Sequence, residues 1–332
     1  MGDNSVLKID NLKIELIHKN QKLIAVKDVS FDLDPGKTIG IIGESGSGKS
    51  ITCSAILGLL EDKKWIINGD IYFGETPIPY RSNKDMNKFR GKHIALITQN
   101  PMSAFDPIRT IRYHFIETLT THKNMSKQDI EKKAIYILNK MKIQNPKNVL
   151  DCYSFELSGG MLQRIMIAIA IALEPEVLIA DEPTTALDLT VQYEIIKILS
   201  KMQKDLGTSI ILVSHDLGVI SELADEVLVM YGGSIVEKAP INEIMINPKH
   251  PYTKGLISSR PNFSKERLAI LEGTPPNLFE RRGGCEFYNR CNVKNEKCKN
   301  NMISSIKVSK NHEVRCIHFE EGAYSCGTAK YK

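Results

Sequence analysis

The sequence contains no long apolar run. Its longest uninterrupted apolar stretch extends only from Ile165 to Leu173 and ends at Glu174 and Pro175, whereas a bilayer-spanning helix needs about 20 apolar residues. The N-terminus also lacks a basic segment followed by an apolar one, so no secretory signal is predicted. We therefore expect the chain to stay in the cytoplasm, where disulfide bonds are rare.

An excess of one charge sign is also absent. The sequence has 44 Lys and Arg against 39 Asp and Glu, a formal net charge of +5 over 332 residues, so no nucleic-acid partner is expected. No internal repeat or long low-complexity tract is visible. A hydrophobic content of 42% is typical of a globular chain with an ample core, and the length suits one large domain and a smaller one.

A glycine- and serine-rich loop follows the apolar run Thr38 to Ile42, which is a strand candidate. The loop has the pattern GxxxxGK[ST] and consists of Gly43, Glu44, Ser45, Gly46, Ser47, Gly48, Lys49 and Ser50. A helix is predicted after it, from Ile51 to Leu60. The backbone amides of such a loop and the start of the helix bind phosphate, Lys49 would reach the β and γ phosphates, and Ser50 would ligate Mg²⁺. The pattern predicts a nucleoside triphosphate site.

A second apolar run, Val177 to Ala180, ends in the carboxylates of Asp181 and Glu182. This is typical of a buried parallel strand that places acids at its C-terminal edge. Asp181 would hold Mg²⁺ through water, and Glu182 would orient or polarise the attacking water. Two acids after a strand are more often a helix cap or a loop, but the phosphate loop upstream favours the catalytic interpretation.

A third motif lies between these two and reads LSGGMLQR from residue 157. Ser158 is placed to cap a helix that continues through Ile165, and the amides of Gly159 and Gly160 are free for a second phosphate contact. The motif resembles the LSGGQ signature of the ABC ATPases.

Further motifs in the same order extend this resemblance over residues 5–240. Gln99 resembles the Q-loop, Ala186-Leu187-Asp188 the D-loop, and His215 the switch histidine. The resemblance implies an α/β fold of the P-loop NTPase class, with a RecA-like core, an antiparallel β subdomain and a helical signature subdomain. Residues 1–240 would form this nucleotide-binding domain, with the helical subdomain at about 100–165. Residues 241–332 would form a small C-terminal extension.

The family also implies how the site works. Two domains pack head to tail, so that ATP on one phosphate loop is completed by Ser158, Gly159 and Gly160 of the facing subunit. Gln99 would contact Mg²⁺, His215 would contact the γ-phosphate, and Asp188 would belong to the nucleotide-binding set. Family members usually stack adenine on an aromatic residue near the N-terminal strands, but residues 16–20 contain no Tyr, Phe or Trp. His18, or apolar contacts from Leu16 and Ile17, would then hold the base.

Several longer strings resemble the ATP-binding subunits of peptide/nickel importers, namely GESGSGKS, QNPMSAFDP, FELSGGMLQR, ADEPTTALD and HPYTKGL. The resemblance implies an ATPase at the cytoplasmic face of the membrane that works with two permease subunits and an extracellular binding protein. A second ATPase subunit, either a related chain or another copy, is also implied. The cargo would be oligopeptides or dipeptides, with nickel or a nickel chelate as the alternative.

A soluble ABC ATPase that acts on nucleic acid or the ribosome is the distant alternative. Relatives that act on DNA carry long coiled coils between the phosphate loop and the signature, and no extended heptad run lies between Lys49 and Ser158. Relatives that act on the ribosome normally carry two nucleotide domains in one chain, and this sequence has a single phosphate loop. Both features favour the transporter subunit.

Four of the seven cysteines fall close together, at Cys285, Cys291, Cys298 and Cys316. Such a group in a cytosolic chain favours a soft metal site over disulfides. It resembles the C-terminal extension of dipeptide and oligopeptide importer ATPases, in which the four thiolates are associated with a 4Fe-4S cluster. Zinc is an alternative rather than the leading interpretation, because none of the gaps between these cysteines has the two residues common in zinc sites. Unligated, partly buried thiols are the third possibility.

Overall fold

We describe the chain from a computed structural model that covers residues 5–185, 187–259, 271–281 and 283–319. The strands are Leu7–His18 (β1), Gln21–Leu33 (β2), Thr38–Ile42 (β3), Trp65–Phe73 (β4), Thr76–Pro77 (β5), Ile94–Ile97 (β6), Val177–Asp181 (β7), Ser209–Ser214 (β8), Glu226–Tyr231 (β9), Ser234–Pro240 (β10), Ile306–Ser309 (β11) and His312–Val314 (β12). The α-helices are Lys49–Ile56 (α1), Asn83–Met86 (α2), Ile111–His122 (α3), Lys127–Lys140 (α4), Pro146–Leu150 (α5), Gly159–Ile171 (α6), Leu189–Leu206 (α7), Leu217–Leu223 (α8), Ile241–Ile246 (α9), Pro251–Ser258 (α10) and Lys297–Asn300 (α11).

The central sheet has eight strands in the order β11-β12-β10-β9-β3-β8-β7-β6. Strands β9, β3, β8, β7 and β6 are parallel neighbours, while β10, β12 and β11 continue the sheet antiparallel. Strands β3 and β8 are buried at every position, as expected for parallel strands covered on both faces. The two apolar runs predicted to be strands, β3 and β7, are therefore interior strands of this sheet.

Apolar layers cover both faces of the central sheet. One layer includes Ile41 and Val213 and packs against α1 and the antiparallel sheet β2-β1-β4-β5. The other layer includes Leu178 and Leu212 and packs against helices from α3 to α8. The α/β class with an antiparallel β subdomain and a helical subdomain is thus confirmed.

The segment between β6 and β7 is helical, as the resemblance implies for the helical subdomain. Helix α4 runs from Lys127 to Lys140 within it, and the Ser126 hydroxyl caps this helix by accepting a hydrogen bond from the Asp129 amide at 3.2 Å.

Helix α1 ends four residues before its predicted end at Leu60. Gly58 has a φ of +60°, and a Cβ there would lie 2.7 Å from the carbonyl oxygen of Tyr80. This close approach stops the helix.

The part of the chain after β10 is joined to the central sheet by strand pairing. Strand β12 pairs with β10, with Val314 opposite Glu237. The fully buried Glu237 carboxylate lies 2.7 Å from the His312 ring and accepts the amides of Lys249 at 2.6 Å and His250 at 2.9 Å. These partners satisfy a carboxylate that would be costly to bury alone.

Among the described helices, none is both long enough and apolar enough to cross a bilayer.

Candidate active site

The phosphate loop joins the buried strand β3 to helix α1. Gly46 and Gly48 have φ values of +78° and +108°, which residues with a Cβ rarely adopt. Gly43 is needed for another reason, since a Cβ there would lie 2.2 Å from the carbonyl oxygen of Met230 on β9. The loop thus keeps its backbone close to the sheet and begins α1 directly at Lys49, where helix amides can face an anion.

Lys49 lies inside the loop and is only 5% exposed. Its ammonium donates hydrogen bonds to the carbonyl oxygens of Gly43 at 2.7 Å and Glu44 at 3.0 Å. Burial lowers the pKa of Lys49, and the nearby carboxylates of Glu182 and Asp181 partly oppose this by raising it. The ammonium can exchange these carbonyl contacts for phosphate oxygens without leaving the loop.

The side chains predicted to hold Mg²⁺ meet across the sheet edge. The Ser50 hydroxyl donates a hydrogen bond to the Asp181 carboxylate at 3.1 Å. Burial raises the pKa of Asp181, the Ser50 hydrogen bond lowers it, and the adjacent Glu182 raises it further. Hydroxyl and carboxylate oxygens suit Mg²⁺, which takes most of its remaining ligands from water and substrate phosphates. A cation between these groups would stabilise the charged form of Asp181.

Glu182 is the centre of a hydrogen-bond cluster at the same edge. Its Oε2 atom accepts from the Gln99 side-chain amide at 3.0 Å and from the Thr185 hydroxyl at 2.7 Å. The Nδ1 atom of His215 lies 3.2 Å from the same oxygen. Glu182 has a φ of +48°, a left-handed conformation that redirects its side chain just after β7. A carboxylate held in this way can accept a proton from a water in front of it.

The sheet topology explains why these residues meet. Strands β3, β8, β7 and β6 are consecutive neighbours in the sheet. At or just after their C-terminal ends lie, in the same order, the phosphate loop, His215, Asp181 and Gln99. Ligands of open α/β sheets bind at this edge. Thr185 lies three residues after Glu182 but is not predicted as a site residue, because a lone hydroxyl there has no distinctive pattern.

The signature residues lie elsewhere on the surface. The Ser158 hydroxyl caps α6 by accepting the Met161 amide at 3.4 Å, and Ser158 and Gly159 are exposed. Asp188, also exposed, caps α7 by accepting the Val191 amide at 2.9 Å. Ala186 of the predicted D-loop lies outside the described residues. Within the described part of the chain, no recorded hydrogen bond or ion pair joins Ser158, Gly159, Gly160 or Asp188 to the phosphate loop.

Two arginines from the C-terminal extension hold the phosphate loop, and neither is predicted from the sequence. The nearly buried Arg290 side chain donates to both carboxylate oxygens of Glu44, at 2.7 and 3.1 Å. Arg281 donates to the carbonyl oxygen of Gly46 at 2.6 Å. Tyr252 accepts the Glu44 amide at 3.0 Å through its hydroxyl. No local pattern indicates these contacts, because the residues they join are more than 200 positions apart.

The four cysteines predicted as metal ligands line one small cavity in the extension, together with His250 and His318. Burial raises the pKa of Cys285 and of Cys316 to about 12, so both thiols are protonated at neutral pH unless a cation is bound. In the described ranges, no group of three or more His, Cys, Asp or Glu side chains is arranged closely enough to hold a metal ion. The structure therefore brings the donor atoms to one cavity without metal-ligand geometry.

Two family descriptions match the chain. Residues 26–185 match the ABC transporter family. Residues 236–298 match the family described as the oligopeptide/dipeptide transporter, C-terminal region. The second match begins within β10 and includes three of the four clustered cysteines.

Curated relatives match over nearly the whole chain. The Bacillus subtilis oligopeptide transport ATP-binding protein AppD is 38% identical, over 96% of this chain and 98% of its own length. The dipeptide transport ATP-binding protein DppD of the same organism is 40% identical, over 94% of each chain. Its Escherichia coli namesake is 36% identical, over 93% of this chain and 96% of its own.

Solved structures share the fold. CbiO1 from Clostridium perfringens, described as part of the ABC transporter complex CbiONQ, is 27% identical with a TM-score of 0.62, over 74% of this chain and 92% of its own. The ATP-binding cassette MJ0796, solved as a dimer with ADP and phosphate, is 24% identical with a TM-score of 0.64, over 71% of this chain and 98% of its own.

Proposed function

The chain belongs to the ATP-binding subunits of ABC transporters, and on that basis we propose that it hydrolyses ATP to power the import of oligopeptides or dipeptides. The observation that carries the ATPase assignment is the cluster around Glu182, which faces the phosphate loop from the ends of neighbouring strands. The peptide cargo is supported by relatives named for oligopeptide and dipeptide transport that match the extension as well as the ATPase core.

Each residue of the site has a role in this proposal. The loop Gly43, Glu44, Ser45, Gly46, Ser47, Gly48, Lys49 and Ser50 binds the phosphates, and Lys49 neutralises their charge. Glu182 orients the attacking water and accepts its proton, while Gln99 and His215 position the Glu182 carboxylate. His215 also contacts the γ-phosphate oxygens. Because these residues lie at the ends of adjacent strands, the sheet fixes their positions with respect to one another.

The groups that would hold Mg²⁺ are the Ser50 hydroxyl, the Asp181 carboxylate and the Gln99 side chain. When bound, it neutralises charge that develops on the phosphate oxygens. The chain's own part is to fix the hydroxyl and the carboxylate 3.1 Å apart at the mouth of the loop.

The partners in this proposal are other subunits. The ATP site of a facing subunit would be completed by the exposed residues Ser158, Gly159 and Asp188, together with the half-buried Gly160. That subunit is a related ATPase chain or a second copy of this one. Two permease subunits cross the membrane and an extracellular protein delivers the peptide, so the chain works as a peripheral protein at the cytoplasmic face. No nucleic acid takes part.

Uptake in cells tests the cargo. Cells that lack the native chain receive either the unmodified chain or its Glu182→Gln variant, and uptake of a labelled oligopeptide and of labelled nickel is measured. We expect oligopeptide uptake to be lost with the variant and nickel uptake to be the same in both strains. Loss of nickel uptake alone would contradict the peptide assignment. So would normal uptake of both substrates, provided that the purified chain is confirmed to have ATPase activity.

For the extension we propose a metal centre at Cys285, Cys291, Cys298 and Cys316. The four sulfur donors line one cavity and suit a 4Fe-4S cluster or, as the alternative, Zn²⁺. Because Cys285 and Cys316 are protonated at neutral pH without a cation, metal binding must release protons there. The centre would stabilise the folded extension.

Metal analysis tests this centre. We expect the anaerobically purified chain to contain iron and sulfide and to absorb visible light, and the Cys316→Ala variant to lose most of the metal. The Cys152→Ala variant is the control, since Cys152 lies in the helical segment, and its metal content should equal that of the unmodified chain. Zinc without iron would select the alternative, and a chain with neither metal would contradict the centre.

A further inference from the structure

An aromatic residue of the C-terminal extension lies against the end of the first strand. The rings of Phe279 and His18 are 5.4 Å apart between centroids and meet edge to face at 83°. Phe279 is 62% exposed, which is high for so large an apolar side chain, and His18 is half-buried. The Phe279 ring therefore keeps a face open to solvent while its position is set by His18.

Arg281 joins the segment that carries this ring to the phosphate loop. Its guanidinium donates to the carbonyl oxygen of Gly46 at 2.6 Å and to the carbonyl oxygens of Ala25 at 2.5 Å and Ile24 at 3.1 Å. Two residues of extended chain span at most about 7 Å, so the segment that carries Phe279 is anchored to the loop through the Arg281 side chain. Gly233 makes room for this contact, because a Cβ there would lie 2.6 Å from the Arg281 side chain.

The turn that carries Phe279 is held by its own hydrogen bonds. The Asn277 side chain accepts the amides of Phe279 at 2.9 Å and Glu280 at 3.2 Å. The Glu280 carboxylate in turn accepts the Asn277 amide at 3.1 Å. Such reciprocal bonds fix a short loop. The exposed ring is thus presented from a defined turn.

We propose that Phe279 and His18 form the subsite for the purine base of the bound nucleotide. A flat base has a π-face that stacks on an exposed aromatic ring. The edge-to-face contact with His18 holds the Phe279 ring in the orientation in which the base stacks on it. This inference rests on the proposed ATPase function, and it assigns base binding to the extension.

Affinity for two ligands tests the subsite, namely MgATP and inorganic triphosphate with Mg²⁺, each by calorimetry on the full-length chain. We expect Phe279→Ala to weaken ATP binding about tenfold, as loss of one stacked base does. Binding of triphosphate, which has no base, should not change. Phe279→Tyr keeps the ring and should bind both ligands as the unmodified chain does. Tyr193→Ala, which removes another exposed aromatic ring on α7, is the control and should change neither affinity.

Two results would overturn the subsite. One is an unchanged ATP affinity in Phe279→Ala. The other is an equal loss of ATP and triphosphate affinity, which would mean that Phe279 acts through Arg281 on the phosphate loop. If the unmodified chain binds neither ligand, the proposed function itself fails and the subsite fails with it.

Discussion

The Glu182→Gln variant is expected to bind ATP with unchanged affinity and to hydrolyse it at least about a hundredfold more slowly, because a general base contributes that much or more. The amide has nearly the shape of the carboxylate, and its oxygen can still accept from Gln99 and Thr185, so the cluster should keep its geometry. What the substitution removes is the negative charge and the ability to take a proton from water. Two measurements on the same purified sample check this prediction: the rate of phosphate release and the affinity for ATP.

The control for Glu182→Gln is Glu176→Gln. Glu176 precedes the same strand, is largely exposed and pairs with His93 at 2.7 Å, away from the phosphate loop. The same chemical change there should leave hydrolysis within about twofold, because exposed ion pairs contribute little. Normal steady-state hydrolysis by Glu182→Gln would defeat the assignment of Glu182 as the base.

The Lys49→Met variant should bind ATP about 10- to 100-fold more weakly, because a hydrogen bond to a charged group contributes about 1.5 to 3 kcal/mol. Methionine fills much of the buried space of the lysine stem but cannot neutralise phosphate charge. Calorimetric titration with MgATP measures the loss. The melting temperature of the variant without nucleotide shows whether the loop is still folded.

Lys37→Met is the matched control for Lys49→Met. Lys37 lies just before β3, is mostly exposed and pairs with Asp225 at 2.9 Å. Removing its charge should not alter ATP affinity. Equal affinities for the unmodified chain and Lys49→Met would contradict the role of Lys49 in phosphate binding.

Sequence patterns predicted the parts of this molecule that depend on neighbours along the chain. The strand from Thr38 to Ile42 has the predicted bounds because every one of its positions is buried. The helix start at Ser158 was predicted because a capping hydroxyl has a local signature. The residues of the catalytic cluster were found because each follows a strand, and parallel strands end at one edge.

The contacts between distant segments could not be predicted in this way. Arg281 and Arg290 reach the phosphate loop from the end of the chain, and neither lies in a periodic or motif-bearing segment. Residues 16–20, near which family members usually carry the aromatic residue that stacks on adenine, contain His18 as their one ring-bearing side chain. The structure places Phe279 beside it, from a position more than 250 residues later. Only the packing of the extension on the first strands relates the two.

The pairing of Arg290 with Glu44, 246 positions apart in the sequence, also bears on how the protein is made. During synthesis the phosphate loop leaves the ribosome early, while the arginine that holds it is still untranslated. Contacts of such long sequence separation form late in folding. A nascent chain that ends before Arg290 therefore lacks this contact, and the phosphate loop acquires it only after the extension has been translated.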